Sequence, residues 1–327
     1  MSVGWRSAMA SALYGPGGFF VRAAGGPADH FRTSVHASPM FAGALLRLIE
    51  RVDAALGHPD PFAVVDVGAG RAELLRALHD RGLPGRFRLT AVELAPRPSG
   101  VPADIRWRSE VPDGIVGVLL AIEWLDNVPL DVAEVDDNGR IRRVLVDPAT
   151  GGETLGPPID AADRFWLARW WPGARTPGDR AEIGWPRDVA WADAVSHVRR
   201  GCALAVDYGH LRDARPPLGT LTGFRAGRQV HPVPDGSCDV TAHVAMDALA
   251  GAIGDSYSLI RQRKALRALG IDGARPPLDL ARTNPAAYLR ALSAAGSAAE
   301  LLDPAGLGGH WWLLHAVGIE TRGIIGT

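Results

Sequence analysis

The sequence predicts an α/β fold, a mostly parallel sheet with helices on both faces. Three observations predict it. Short runs that are apolar almost throughout recur at 62–67, 114–122 and 202–208, as in strands buried on both faces. Segments of helical period separate several of them. A Gly68-Ala-Gly70 turn follows the first run directly, where such a sheet places a ligand-binding loop.

The elements follow in order. Ser38-Pro39 opens a helix, because Ser is a favoured N-cap and Pro suits the first helical position. Phe41, Leu45, Leu48, Val52 and Leu56 then recur at helical spacing, and 57–61 ends the segment. The run 62–67 is the first strand, and a helix through Leu74, Leu75 and Leu78 follows the glycine turn. Strands are expected at 88–94, 105–107 and 114–122. The alternation then breaks. Residues 130–155 read as a β-hairpin around Asp137-Asn-Gly139. Residues 160–200 read as helical and hold Trp166, Trp170, Trp171, Trp185 and Trp191, half of the chain's ten tryptophans. Trp166 and Trp170, four apart, fit a small helical core; an aromatic lid over a ligand is the sharper alternative. The sheet resumes at 202–208, with 220–224 as a sixth strand. Residues 240–249 and 256–269 read as helices, Gly270 capping the second, and 310–317 is the last strand. The expected division is an N-terminal helical segment (1–60), an α/β domain (61–129 and 201–327) and an inserted hairpin plus helical subdomain (130–200).

Composition bounds the function. The chain has 327 residues, 35 basic against 36 acidic, and a net charge of −1. That removes the electrostatic reason to expect nucleic-acid binding. The two cysteines, Cys202 and Cys238, offer neither a disulfide framework nor zinc spacing, so no metal site is expected. No apolar run reaches the ~18 residues of a spanning helix. Residues 1–28 are acid-free and hold Arg6 and Arg22, faintly like a transit peptide, but Tyr14-Gly-Pro-Gly-Gly-Phe-Phe20 breaks a long amphipathic helix. No secretory core follows, and a reduced, cytoplasmic setting is the expectation. Lys264 is the only lysine, so isolated arginines read as compositional bias and carry little functional weight.

Five segments carry chemistry. The first is Val64-Val-Asp-Val-Gly-Ala-Gly-Arg71. Strand, Gly-x-Gly turn and helix place backbone N–H groups at the strand's carboxyl end, and glycines let a ligand approach closely. A dinucleotide fingerprint would need a glycine where Glu73 stands. S-adenosylmethionine (SAM) carries a sulfonium and no phosphate, so it tolerates Glu73 and suits Asp66; a turn without ligand is the plain alternative. Glu93, ending the second strand, can accept both hydroxyls of a ribose, or is simply an exposed strand-end acid. The third segment, Leu120-Ala-Ile-Glu-Trp-Leu-Asp-Asn-Val-Pro-Leu130, sets Glu123 and Asp126 in one tight loop at the switch point of the sheet. They can grip a cationic substrate, or Asp126 can cap a turn. Asp207 ends the fifth strand and is expected at the same crevice, N-capping being the alternative. In Asp239-Val-Thr-Ala-His243, Asp239 can cap a helix and His243 can be structural.

Taken in order, these segments resemble class I SAM-dependent methyltransferases of the MidA type, which include a mitochondrial complex I assembly-factor arginine methyltransferase. His30-Phe-Arg-Thr-Ser34 is similar to that family's Phe-x-Thr-Ser motif, and Ser38-Pro-Met-Phe-Ala-Gly43 to the segment after it. Asp66-Val-Gly-Ala-Gly-Arg71 resembles its Glu-Leu-Gly-Pro-Gly-Arg loop, and Glu123-Trp-Leu-Asp-Asn-Val-Pro129 its Asn-Glu-Phe-Leu-Asp-Ala-Leu-Pro signature. Asp207-Tyr-Gly209, Gly219-Thr-Leu-Thr-Gly-Phe224, Asp239-Val-Thr-Ala-His243 and the helix from Gln262 to Ile271 follow its downstream pattern. The chain departs from it at Ile122 (Asn in the family), Ala72 (Gly), Ala245 and Met246 (Asp) and Gly309 (Glu); Gly227 stands near the place of a lost His. The resemblance implies a Rossmann-like class I methyltransferase sheet with a helical, Trp-rich insertion. It implies SAM as cofactor, held by Asp66, Gly68, Ala69, Gly70, Glu93, Leu94, Ile122, Thr33 and Ser34. It implies catalytic roles for Glu123, Asp126 and Asp207. The acceptor would be a protein arginine, in a respiratory NADH dehydrogenase subunit, or a small molecule. The alternatives are a SAM-binding assembly factor with weak or no transfer activity, a NAD-type oxidoreductase, and an α/β scaffold without ligand.

Overall fold

The computed structural model describes residues 1–21, 33–254, 256–320 and 323–325. A seven-stranded sheet forms its centre. Its strands are β1 (Phe62–Val67), β2 (Phe87–Val92), β3 (Arg106–Arg108), β4 (Ile115–Ile122), β5 (Val198–Asp207), β6 (Tyr257–Arg261) and β7 (Trp311–Val317). The spatial order is β6-β7-β5-β4-β1-β2-β3. Only β7 runs against the rest, pairing antiparallel with both β5 and β6. Register aligns the carboxyl ends: Val67 lies opposite Ala121, and Ile122 opposite Val206. The start of β7 therefore reaches the same rim, Trp311 facing Asp207.

Apolar burial fixes the layers. The helix Pro39–Ala55 starts at Ser38, whose Oγ accepts the Met40 N–H at 3.1 Å, and Pro39 sits in its first turn. Its buried stripe, Phe41, Leu45, Leu48, Ile49 and Val52, covers one sheet face together with Leu75, Leu266 and Leu301 from three further helices. Each such side chain contributes about 1.5–3 kcal/mol of burial. The opposite face is covered by Trp191, Val195, Met246 and Leu249.

A second, five-stranded sheet is built from Val3–Gly4, Asp131–Val135, Ile141–Val146, Glu153–Pro158 and Arg180–Ile183. The helix Trp5–Tyr14 packs on it through Trp5, Met9 and Leu13.

Four segments differ from the sequence expectation. Residues 160–200 hold two helices, Ala161–Trp170 and Trp185–Ser196, with the strand Arg180–Ile183 between them, captured by pairing with Asp131–Val135. Thr222–Arg225 leaves the central sheet for a three-stranded one. Ala226 and Gly227, at φ +50° and +74°, turn it back onto Arg228–Val230, and both positive angles suit the hairpin twist. The 240–249 segment splits into the strand Asp239–Thr241, a two-residue bridge Val244–Ala245 and the helix Met246–Gly251. The 256–269 segment begins as β6, because pairing with β7 outweighs its helical pattern, and turns helical only at Gln262–Ala268.

Candidate active site at the switch point

From β1 the chain passes to β2 on one side, and from β4 to β5 on the other. That reversal leaves a crevice beyond the carboxyl ends of β1 and β4. A cleft of about 1400 Å³ fills it, running from Gly68, Gly70 and Glu93 past Trp124 to Asp126, Tyr208 and His310.

One end is built from backbone. Gly68 and Gly70 have φ of +69° and +56°, and a Cβ on Gly68 would lie 2.7 Å from Trp124 Cδ1. The Gly68 and Ala69 N–H groups donate to Val92 O at 3.0 and 3.3 Å, tying the loop to β2. Glu93 completes the tie: Oε2 accepts the Gly70 N–H at 2.9 Å, and Oε1 accepts Leu94 and Ala95 N–H at 2.7 and 3.1 Å. Burial raises the Glu93 pKa against those three N–H groups. Asp66, buried just before the loop, is pushed up to about 8 by burial, then by Glu73 and Glu93. Glu73 Oε2 takes the Arg71 N–H at 2.9 Å, a donor that a phosphate at this helix start would need.

The other end is built from side chains. Glu123 sits at φ +52°, and its Oε1 accepts the Ser34 N–H at 2.8 Å. Burial pushes its carboxyl up to about 7, with Ser34 opposing and Asp126 adding to the shift. Asp126 Oδ2 accepts from Thr241 Oγ1 at 2.8 Å and from the Tyr208 hydroxyl. Asp239 Oδ1 accepts Asn127 Nδ2 at 2.7 Å, and burial raises its carboxyl well above the usual range. Burial also pushes His243 and His310 down to about 4 each, so both rings are neutral at pH 7.

The expected site residues divide. Gly68, Gly70, Glu93, Leu94, Thr33, Glu123 and Asp126 line the cleft together. Asp66, Ala69, Ser34 and Ile122 are buried beside it and are absent from its wall. Asp207, expected to face the crevice, lies beneath it with no exposed surface. Its Oδ2 accepts Leu125 and Asp126 N–H at 3.1 and 3.2 Å and its Oδ1 accepts Tyr208 N–H at 3.0 Å, so it anchors the Glu123–Asp126 loop. Asp239 caps no helix, since it lies on a strand. His30, Phe31 and Arg32 of the Phe-x-Thr-Ser segment fall outside the described residues. None of the five insertion tryptophans lines the cleft; Trp166 and Trp171 pack in the small core, and Trp124 is the tryptophan in the wall.

Sequence reasoning missed Tyr14, Tyr208, Thr241, Arg187 and His310. Tyr14 donates to Asn127 O at 3.2 Å from a helix far away in sequence. Arg187 is almost fully buried and donates to Val128 O at 3.1 Å, Ala242 O at 2.9 Å, His243 O at 3.1 Å and Asp126 O, pinning the two acidic loops together. Discounting arginines as composition hid it. Tyr208 and Thr241 stand inside quoted segments, beside acids that drew the attention.

Chemically the glycine-loop end suits a nucleoside, and it opens onto an acidic, aromatic pocket. The left-handed glycine loop, the strand-end carboxylate and the blocked phosphate donor fit a phosphate-free nucleoside. The comparisons agree. A profile of the family described as "Putative S-adenosyl-L-methionine-dependent methyltransferase" matches residues 86–263, more than half of the chain. The chain belongs to that family of SAM-dependent methyltransferases. It is also similar in structure to a Burkholderia thailandensis protein crystallised with S-adenosyl-homocysteine, at TM-score 0.77 and 25% identity over 100% of this chain and 89% of that one. A native crystal structure of an uncharacterised protein from the same organism matches at TM-score 0.77 and 24% identity, covering 99% and 90%. No curated protein matches the chain. Among the described residues, no helix is long and apolar enough to cross a membrane.

Proposed function

We propose that this enzyme is a MidA-type methyltransferase whose acceptor is a cationic nitrogen, an arginine guanidinium of a protein. One observation carries the reading: Glu123 and Asp126 open into the same cleft as the glycine loop and Glu93, from a single loop at the switch point. In this reading Gly68, Gly70, Glu93, Leu94 and Thr33 hold the cofactor, with Asp66, Ala69, Ser34 and Ile122 shaping the wall behind them. SAM supplies a methyl group already activated on a sulfonium. The chain's task is then to bind and orient the nucleophile.

A guanidinium keeps its proton in water at any ordinary pH. Glu123 and Asp126 draw its charge to one side and leave another nitrogen free to attack. Asp207 acts from below, holding that loop through the Leu125 and Asp126 N–H groups. By resemblance, the protein acceptor would be a subunit of a respiratory NADH dehydrogenase; the cysteine usage, not the resemblance, is what favours a reduced, cytoplasmic setting. The division into residues 1–60, 61–129 with 201–327, and 130–200 is kept as a proposal for truncation work.

The test is labelled-methyl transfer from SAM into lysate, followed by mass mapping of the modified residues. Modified arginines that vanish with Glu123→Gln support the reading. Transfer to other residue types, or full turnover by Glu123→Gln, overturns it.

A further inference from the structure

We propose that His310 is a substrate-contacting residue of the acceptor pocket: its Nδ1 accepts an N–H hydrogen bond from the incoming nitrogen group, beside Glu123 and Asp126. The inference rests on the cationic-acceptor reading above and names a residue that reading does not use. Two side-chain atoms in the cleft wall, Asp126 Oδ1 and His310 Nδ1, are buried with no hydrogen-bond partner among the described residues. A buried polar atom without a partner has lost its hydration and gained nothing, so it marks a place where a donor is missing.

Topology puts His310 there. Antiparallel β7 brings its first residues to the rim where β1, β4 and β5 end, and His310 directly precedes Trp311. Both sides of its backbone are tied: its N–H donates to Leu307 O at 3.0 Å, and its carbonyl accepts Gln262 N–H at 2.8 Å. Its ring lies 5.6 Å from that of Tyr208, whose hydroxyl is already engaged by Asp126 and Thr241. Nδ1 stands 3.8 Å from Glu123 Oε1, too far for a hydrogen bond, so the two acceptors face a shared gap. Burial keeps the ring neutral at pH 7, with an acceptor lone pair on one nitrogen. A guanidinium offers five N–H donors in a plane, enough to serve Glu123, Asp126 Oδ1 and His310 Nδ1 at once. His243 also lines the cleft, but it has no orphaned buried nitrogen and packs edge-on against Tyr208.

The experiment uses the full chain saturated with S-adenosyl-homocysteine and two probes, guanidinium chloride and tetramethylammonium chloride. The second is a cation without N–H donors. Binding is followed by NMR of isotope-labelled imidazole side chains, in wild type, His310→Phe, His310→Asn and Glu123→Gln, with melting curves to confirm folding. Phenylalanine keeps the ring's bulk without an acceptor, whereas asparagine restores an acceptor close to Nδ1. The expected result is a shifted His310 signal with guanidinium alone, binding weakened about tenfold or more in His310→Phe and within about threefold in His310→Asn. Equal guanidinium binding by His310→Phe and wild type, with Glu123→Gln impaired, overturns the His310 role and leaves the acceptor reading standing. Equal response of the His310 signal to both cations also overturns it. No binding of guanidinium by wild type removes both.

Discussion

The two ends of the cleft are made by different means. At the glycine-loop end the work is done largely by backbone: two left-handed glycines and five N–H groups, two held by Val92 O and three by the Glu93 carboxylate, all within residues 68–95. At the acidic end it is done by side chains from six separated stretches, Tyr14, Glu123 with Asp126, Arg187, Asp207 with Tyr208, Asp239 with Thr241, and His310. A site made of local backbone tolerates few substitutions and changes little. A site made of distant side chains can change acceptor without touching the cofactor.

The contrast fails if the glycine loop tolerates a side chain. Gly68→Asp combines a Cβ aimed at Trp124, a strained positive φ and a new carboxylate in the cleft wall that Glu93 also lines. SAM affinity by calorimetry is expected to fall by on the order of a thousandfold, since two or three kcal/mol of strain add to like-charge repulsion. Wild type should bind SAM and S-adenosyl-homocysteine, and not NAD. Tight binding by Gly68→Asp would mean the ligand enters elsewhere.

At the other end, Glu123→Gln should separate binding from transfer. The cofactor contacts stay, so SAM affinity holds within a few-fold. Single-turnover transfer should fall roughly 100- to 1000-fold, the usual cost of removing one well-placed polar group that acts on the reacting centre. A loss of SAM binding of the same size would merge the two ends into one site.

This difference also explains what the sequence could tell. The α/β class, six of the seven central strands and the glycine loop were legible because each is a local pattern: an apolar run, a Gly-x-Gly turn, a strand-end acid. Glu123 and Asp126 were legible because they share one short loop. β6 was not, since its strand state depends on β7, more than fifty residues later. The insertion's Arg180–Ile183 strand was hidden for the same reason, its partner being Asp131–Val135. Asp207 was placed on the right strand end, yet whether it pointed up into the crevice or down under the loop depended on where the Leu125 and Asp126 N–H groups fell. Arg187 and His310 gained their places only from tertiary contact.

The acidic end should also show itself in stability against pH. Glu123 in the folded chain titrates at about 7 against an ordinary 4.5, so the native state holds its proton longer than the unfolded chain does. For a carboxyl raised in this way, the folded state is favoured below the unfolded value, and that advantage is lost as pH rises through about 7. The loss amounts to about 3 kcal/mol between those limits. Denaturation midpoints of wild type minus Glu123→Gln, taken across this range, isolate it from Asp66 and Asp239, which shift the same way. A flat difference would place Glu123 in a wetter setting than its burial indicates, and the acceptor end would lose its distinguishing feature.

The smallest effect tests the cofactor end against its own description. Glu93 already spends hydrogen bonds on Gly70, Leu94 and Ala95, so replacing it alters the loop as well as any ribose contact. Glu93→Gln keeps one carbonyl acceptor and loses the charge. Its amide can still accept from one side, so SAM affinity should drop only about tenfold, the value of one charge-assisted bond. Adenine alone, which has no ribose, should bind wild type and Glu93→Gln alike if the loop keeps its shape. Should both ligands weaken equally, Glu93 serves the loop and not the sugar. Then even the cofactor end depends on a side chain for its form, and the two ends of the cleft differ less than their construction suggests.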